Sequence, residues 1–189
     1  MYPGDPGRSV GKLRNISISN VLATNASKLS CSITGVPGYY AEGITLTNVK
    51  IIAAGGGTQE DIEKPVPEKE TSYPDVVMFE TDLPSYGFFV RHVKDITFDN
   101  VTIKTEKEDK RFAFYLNDVL GASFNGCHVN SQSASNGVFF IEKSQQVVVE
   151  NNKTFQLLPF FVKAISTDKK NLILQNNVAP NVKQLLVAE

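Results

Sequence analysis

The chain has 189 residues, with 19 Lys and Arg, 20 Asp and Glu, and 41% hydrophobic residues. This length suits one or at most two domains, and the apolar fraction is sufficient for a core and excludes global disorder. A net charge of −1 excludes the basic surface that nucleic-acid binding requires. No apolar run of about 18 residues is present, so we expect no membrane partner. Two cysteines and two histidines give neither a disulfide framework nor a metal site, and we expect no cofactor.

One short phrase of alternating apolar and polar residues recurs along the chain. Its copies begin at the apolar residues Ile16, Ile44, Ile96, Ala122, Val147 and Leu172. Successive copies lie 25 to 28 residues apart, except for one gap of 52 residues, which is about two periods. Alternation with period two, enriched in Ile, Val, Phe and Thr, predicts strands and not helices.

The clearest copies end in an asparagine: Asn20, Asn48 and Asn100. Asparagine tolerates a left-handed backbone and suits a tight bend between strands. We therefore expect these three side chains to stack at one bend of successive coils and to share amide hydrogen bonds.

A second repeat precedes most copies, at 87–93, 113–119, 138–144 and 159–165, with a plainer member at 31–35. Alternation places one set of its side chains inward: Phe88, Val90, Phe114, Leu116, Phe139 and Ile141. The other set is expected on the outer face: Phe89, Tyr115, Phe140 and Phe161 as an aromatic column, with Arg91, Asn117 and Glu142 beside it.

Short strands and Asn or Gly bends that repeat about every 25 residues predict an all-β fold, a parallel β-solenoid of about six coils in one domain from residue 1 to 189. Each coil can bury its apolar face only against the next coil. A β-sandwich is the alternative, because strands every 8–12 residues or so also suit it. It explains the repeated bend asparagine and the aromatic column less well.

A long segment at about 53–85 interrupts the repeat. Its first half, which opens with Gly55-Gly56-Gly57, is rich in charge and proline and is expected to be mobile. Its second half, 73–87, is aromatic and apolar, so we expect it to pack along the solenoid beside Phe89 and Arg91. The glycine triplet is a flexible strand exit and not a phosphate loop, because no Gly-Lys-Ser/Thr follows it.

Several segments together resemble a known family. They include Ile44–Val49, the Gly55-Gly56-Gly57 loop, Tyr73-Pro74-Asp75, 83–87, Val90-Arg91-His92 and 98–101. They are similar to the later coils of polygalacturonase-like glycoside hydrolases of family 28, which are pectin-degrading, right-handed parallel β-helices. The resemblance covers about residues 16–119 and is densest from Tyr73 to Val101. It implies a polysaccharide substrate and a secreted or periplasmic location.

The family carries its chemistry on one parallel sheet, in Asn-Thr-Asp, Asp-Asp, Gly-His-Gly and Arg-Ile-Lys motifs. Two of its carboxylates act as general acid and general base, about 6.5–9.5 Å apart, to activate a water. The first three motifs are missing from this sequence, and the nearest match to the fourth is Phe89-Val90-Arg91. We therefore predict no catalytic residue in this chain, which the resemblance makes the C-terminal part of a longer enzyme.

Candidate substrate-binding residues lie near the predicted groove. Arg91 could hold a uronate carboxylate bidentately, or pair with Glu142 or an acid of the insertion. Phe89 and Tyr115 could form a platform for sugar rings, or be covered by the insertion. Glu80 and Asp82 form a local acid pair that is more typical of a solvated surface than of acid–base work. Tyr86, in the segment 83–87 that carries the resemblance, is a further candidate substrate-binding residue.

Five other residues favour structural roles. We expect His92 to point inward or into a bend and to make a structural hydrogen bond rather than take part in acid–base chemistry. Asp109 and Arg111 are expected to form a local salt bridge. Cys31 is expected to be a small buried residue, and Cys127 to be unreactive.

Three functions follow from these features. The first is the C-terminal β-helix portion of a pectin-type glycoside hydrolase, which would bind a polysaccharide or oligosaccharide. The second is a non-catalytic β-solenoid that binds carbohydrate or protein. The third, a polysaccharide lyase, is disfavoured because no acid cluster suits Ca²⁺.

A solenoid that lacks its earlier coils exposes an apolar cross-section. We therefore expect end-to-end self-association through the N-terminal coil, or coverage of that coil by residues 1–12.

Overall fold

The computed structural model of the protein describes residues 10–72, 75, 77–130 and 136–189. These residues form about six stacked coils, with almost no helix. Every registered pairing between the described strands is parallel. The predicted parallel β-solenoid is therefore confirmed, and the sandwich, whose sheets are antiparallel, is excluded.

Each coil has up to three sides, and like sides stack into continuous ladders. The first side contains β2 (Cys31–Thr34), the first part of β4 (Ser85–Asp99), the first part of β6 (Phe112–Asn125), β8 (Phe139–Glu142), β10 (Leu158–Ile165) and β12 (Val182–Ala188). The second side contains β1 (Arg14–Ala26), β3 (Ala41–Ala53), the later parts of β4 and β6, β9 (Gln145–Glu150) and β11 (Leu172–Gln175).

The third side is narrower. It contains the ends of β1 and β3, then β5 (Thr102–Thr105) and β7 (His128–Asn130), and single bridges continue it through Lys153 to Val178. Helix is confined to α1 (Gln59–Glu63) and a 3₁₀ turn at Lys169–Asn171 among the described residues. No described helix has the length and apolarity needed to cross a membrane.

Like side chains of successive coils lie directly over one another in the core. On the first side Phe88 and Phe114 stack with ring centroids 5.8 Å apart, and on the second side Phe98 and Phe124 stack at 4.9 Å. The six side chains predicted to point inward are all buried in this core: Phe88, Val90, Phe114, Leu116, Phe139 and Ile141. Each coil thus buries its apolar residues against the coils on either side.

The asparagine ladder is present at the bend between the second and third sides. Asn20, Asn48 and Asn100 all have a φ between 52° and 59°, the left-handed region that the sequence predicted. The Nδ2 of Asn48 donates to the Oδ1 of Asn20 at 3.1 Å, and the Nδ2 of Asn100 donates to the Oδ1 of Asn48 at 2.8 Å. The ladder therefore has a direction, because each amide N–H points toward the N-terminal coils.

The outer aromatic column differs from the prediction at its last member. Phe89, Tyr115 and Phe140 are in register, but the next residue in the column is Lys163, not Phe161. Phe161 is buried in the core, where its ring meets that of Phe139 edge-on at 5.4 Å. The predicted alignment at 159–165 was two residues out of register, because it matched the Phe-Phe pairs, whereas the strand pairing places Val162 and not Phe160 beside Phe139.

The prediction for Cys31 was wrong, whereas Cys127 is buried, in agreement with the prediction that it is unreactive. Cys31 occupies the same inward column as Phe88, yet its side chain is exposed. The reason is its place on β2, which has no described strand on its other edge. Cys127 lies in the middle of the stack, where burial raises the pKa of its thiol to about 12 and so disfavours the reactive thiolate.

Candidate functional site

The insertion, residues 54–84, leaves the stack after β3 and returns at β4. Its second half places Phe79 and Leu83 on Phe89, and all three are buried. The rings of Phe79 and Phe89 meet edge-on at 5.9 Å. The predicted packing of this half is therefore confirmed for its described residues, although Tyr73, Pro74 and Val76 lie outside them. The part of the outer column on β4 is covered.

A buried ion pair ties the insertion to the coil that follows it. Arg111 and Asp109 are 1% and 0% exposed, and an Nη2 of Arg111 lies 2.8 Å from an Oδ2 of Asp109. Arg111 also donates to the carbonyls of Leu83 and Lys28, and Asp109 accepts from the backbone N–H of Gly57. The salt bridge that the sequence predicted thus joins both ends of the insertion to the β1–β2 connection.

The first half of the insertion is anchored and does not hang free as a mobile loop. Thr58 caps α1 in a capping box with Asp61. Asp61 is buried and lies 3.2 Å from the Nζ of Lys28. A five-residue helix was missed because its charged sequence has no apolar periodicity, and its cap was the one available signal.

The residues of the insertion that cover the outer face of β4 are called the roof here: Val66, Pro67, Glu68, Phe79 and Leu83. Arg91 lies beneath this roof. Its guanidinium donates to the carbonyls of Val66 and Pro67, each at 2.9 Å, and lies 3.3 Å from Glu68. It also lies 5.1 Å from the ring centroid of Phe79, within range of a cation–π contact. Burial lowers the pKa of Arg91, while Glu68 opposes that shift. Of the two roles that the sequence left open, the contacts match the ion pair with an acid of the insertion.

His92 joins two carboxylates at the corner between the first and second sides. Its Nδ1 lies 2.7 Å from Asp118 and its Nε2 lies 3.2 Å from Glu68. The hydroxyl of Tyr40 donates to Asp118 at 2.9 Å, and burial together with this carboxylate raises the pKa of Tyr40. His92 has a φ of 53° at the bend, so the predicted structural hydrogen bond at a bend is confirmed.

Sequence reasoning missed this corner cluster of Tyr40, Glu68, His92 and Asp118. A signal existed, because His92 and Asp118 occupy the same position of successive repeats, one residue after Arg91 and Asn117. That column carries polar residues with left-handed backbone, as the asparagine column does. The contribution of Glu68 from the insertion could not be found, since no repeat sets its position.

The remaining candidates are placed apart from one another. Tyr86 is buried at the start of β4 and belongs to the main core. Glu80 is exposed and lies 2.8 Å from Lys69, whereas Asp82 lies 2.8 Å from Lys28. The two acids therefore have different partners, and whether any of these residues binds substrate stays a prediction. No group of three potential metal ligands occurs among the described residues.

Beyond the roof, the outer face of the first side is partly exposed, although Phe140 in its column is buried. We call this surface the outer strip, and it consists of Tyr115, Asn117, Glu142 and Lys163, all partly exposed. The ring of Tyr115 stacks on Phe140 at 4.5 Å, and the Nδ2 of Asn117 donates to Glu142. Burial and the nearby Glu142 raise the pKa of Tyr115. The strip thus offers one edge of a fixed aromatic ring beside amide, carboxylate and ammonium groups.

A scan against protein-family models finds no match, and neither does a search of curated proteins. Among solved structures, the chain is similar to a crystal structure described as a "putative glycosyl hydrolase" from Parabacteroides merdae ATCC 43184, at 16% identity. The alignment covers 92% of this chain and 82% of that chain, with a TM-score of 0.43. Identity and TM-score this low establish no shared activity.

Proposed function

We propose that this chain forms the C-terminal coils of a pectin-type glycoside hydrolase, supplying scaffold and part of the groove for an acidic polysaccharide. The observation that carries the proposal is the outer strip, which lies directly beside the roofed part of β4. The roof and β4 contain the segments that resemble polygalacturonases, so the resemblance and the outer strip fall on the same side of the stack.

The outer strip has the groups that a sugar acid requires. Tyr115 is held against Phe140 and Phe112, so its exposed edge is rigid and can contact an apolar sugar face. Asn117 and Glu142 can exchange hydrogen bonds with hydroxyls. Lys163 provides a positive charge in the same column as Tyr115 and Phe140. It is 25% exposed and pairs with Glu189 at 3.2 Å, so a uronate would compete with that carboxylate.

The carboxylates near the strip support binding without turnover. An inverting hydrolase needs one acid and one base about 6.5–9.5 Å apart with room for water. Here Asp118 and Glu68 both engage His92, and Glu80 and Asp82 each pair with a lysine. The proposal therefore places the catalytic acids in preceding coils of a longer enzyme, and a secreted or periplasmic location follows from the same kinship.

The test is titration calorimetry of the chain with an oligogalacturonate and with an uncharged oligosaccharide of equal length, followed by a reducing-end assay. We expect the acidic oligomer to bind and no reducing ends to appear. Tyr115→Ala should abolish binding, whereas Phe155→Ala, at an aromatic residue 59% exposed elsewhere on the surface, should leave it unchanged. Lys163→Gln should weaken binding of the acidic oligomer only.

Two results would contradict the proposal. Failure of both oligomers to bind would contradict the claim that the outer strip is part of a polysaccharide-binding groove. Release of reducing ends would show that this chain holds its own catalytic acids. A non-catalytic binding module predicts the same calorimetry. The coding sequence before Met1 separates the two, because the hydrolase requires Asn-Thr-Asp, Asp-Asp and Gly-His-Gly motifs there and the module does not.

A further inference from the structure

At each end of the stack, one side extends one strand further than the other, so the two ends have complementary shapes. At one end β1 and β2 each pair on one edge only, with β3 and β4, among the described strands. At the other end β11 and β12 each pair on one edge only, with β9 and β10. The first coil has a second side but no described first side, and the last turn has β12 on the first side with no described second-side strand after it.

The first coil presents an apolar surface at its open end. Ile18 is 40% exposed, whereas Leu46, its register partner in the next coil, is 3% exposed. Val21 and its partner Val49 differ in the same way, at 37% and 4%. These side chains point toward the core like their partners, so they are exposed because no described coil lies over them.

The far end carries matching residues in the same columns. Register relations through the ladder place Leu172 in the column of Ile16, and Leu174 in the column of Ile18. On the first side, Leu186 falls in the column of Cys31. Leu172, Leu174 and Leu186 are partly buried hydrophobics packed against the core. Apolar columns therefore meet apolar columns if one end is laid on the other.

The asparagine bend gives this contact a direction. Each ladder amide donates toward the N-terminal end, so the Nδ2 of Asn20 lies at that end, and no described contact uses it as a donor. Asn176 follows β11 at the corresponding bend, with a φ of 54°. An amide oxygen at that position is the acceptor that the Asn20 N–H requires.

We propose that the open first coil binds the last coil of a second copy of this chain, head to tail, with β11 of one copy beside β1 of the next and β12 beside β2. The joint contains three apolar column contacts, in which Leu172, Leu174 and Leu186 of one copy meet Ile16, Ile18 and Cys31 of the next. It also contains the hydrogen bond that the Nδ2 of Asn20 donates. Its strand edge has few of the usual protections, since β1 contains no proline and its only charged residue is Arg14. In a longer polypeptide a preceding coil would take the same place.

This contact uses different surfaces on the two partners, so it does not close on itself. A heterologous contact of this kind adds copies in a row, and the mean mass should rise with concentration. The inference concerns the ends of the stack in this 189-residue chain by itself, whereas the proposed function concerns the outer strip and places preceding coils of a longer enzyme where the second copy would bind.

Two capping variants test the joint by sedimentation velocity of the full chain. Ile18→Lys places a charge on the first coil, and Leu174→Lys places one on the last coil. Each variant alone should be a monomer at concentrations where the parent protein forms longer species. An equimolar mixture should form a dimer and nothing larger, because each variant keeps one intact end and those two ends are complementary. Val77→Lys, a 58% exposed site on the insertion, should associate like the parent.

A gentler variant covers the case in which a capping lysine disturbs folding. Asn20→Asp keeps the oxygen that accepts from Asn48 and removes the N–H that points off the end. Losing one hydrogen bond should weaken association about fivefold, with circular dichroism and the melting temperature unchanged. Alkylation of Cys31 should also slow as protein concentration rises, since Leu186 of the neighbouring copy would cover it.

Other outcomes would overturn the proposal. A parent protein that stays monomeric to millimolar concentration would show that the open coil is covered by its own N-terminal residues or binds no second copy. A mixture of the two capping variants that stays monomeric, or grows beyond a dimer, would contradict head-to-tail pairing through these ends. If Asn20→Asp leaves association unchanged, the Asn20 amide donates no hydrogen bond to the second copy.

Discussion

The first coil and the middle coils of this solenoid contain the same pattern in different surroundings. Ile18 and Phe98 belong to one column, yet Ile18 is 40% exposed and Phe98 is 0% exposed. Their strands have the same alternation, and both bends carry a left-handed asparagine. The difference is the number of neighbouring coils, because burial in a solenoid comes from the repeats above and below. The repeat sequence therefore specifies a column, and the position in the stack specifies what that column contributes to stability.

The largest expected effect comes from truncating two side chains of the same column, one in a middle coil and one in the first coil. Phe98→Ala removes a buried ring that stacks on Phe124, and should lower the free energy of unfolding by about 3–5 kcal/mol. Ile18→Ala should lower it by less than about 1 kcal/mol, because much of that side chain already contacts water. Urea unfolding of both variants at low protein concentration measures the two values. Equal losses would contradict the view that the first coil is open.

The next effect separates the buried ion pair from a surface pair. Asp109→Ala leaves Arg111 buried and uncompensated, and should cost about 3 kcal/mol. Glu60→Ala removes an exposed pair with Lys64 and should change the free energy of unfolding by no more than about 1 kcal/mol.

A double variant tells whether the charge itself matters at this site. Asp109→Leu with Arg111→Met replaces the pair by apolar side chains and should recover a large part of the loss. If the double variant is as unstable as Asp109→Ala, the hydrogen bonds to Gly57, Leu83 and Lys28 stabilise the insertion more than charge neutralisation does.

A smaller effect compares two positions of the asparagine ladder. Glycine tolerates the left-handed backbone, so an Asn→Gly change reports mainly the lost side-chain hydrogen bonds. Asn48 makes two ladder bonds and Asn20 makes one. We expect Asn48→Gly to cost about 1–2 kcal/mol and Asn20→Gly about half of that. Thermal denaturation of the two variants checks the ratio, and a larger loss at Asn20 would contradict the ladder.

The smallest effect is a pH dependence from the middle of the stack. Burial, with Lys153 and Lys104 nearby, lowers the pKa of His128 below its ordinary value. The unfolded chain then binds a proton more readily than the folded chain, so this residue favours unfolding as the pH falls below about 6.5. Urea midpoints at about pH 8 and about pH 5 should differ less in His128→Gln than in the parent protein. An unchanged difference would assign the pH dependence to other groups.

The core and the bends could be predicted from the sequence because both follow the repeat. The inward set from Phe88 to Ile141 and the ladder from Asn20 to Asn100 each need only the period and the alternation of a strand. The same reasoning failed at Phe161, where the match of Phe-Phe pairs was two residues out of register with the strand pairing. It also failed at Cys31, where the column is correct but no described strand lies on the other edge of β2.

The candidate site was less predictable because half of it comes from the insertion. The repeat placed Arg91 on the outer side, as the structure has it, and His92 either inward or at a bend, of which the structure has the bend. It could not place Glu68, Phe79 or Leu83, which reach the strand from a segment outside the repeat. The outer strip beside the roof depends on where the insertion ends, and that depends on tertiary packing around Arg111 and Phe89.

The two cysteines give the most direct test of the central claim, which is that matching inward positions are closed within the stack and open at its first coil. Cys31 lies inward on β2 at the open end, and Cys127 lies inward in a middle coil. In dilute native protein at mildly alkaline pH, a thiol reagent followed by peptide mass spectrometry should label Cys31 and leave Cys127 unmodified until urea unfolds the chain. Labelling of both residues at similar rates, or protection of Cys31 with labelling of Cys127, would contradict the account.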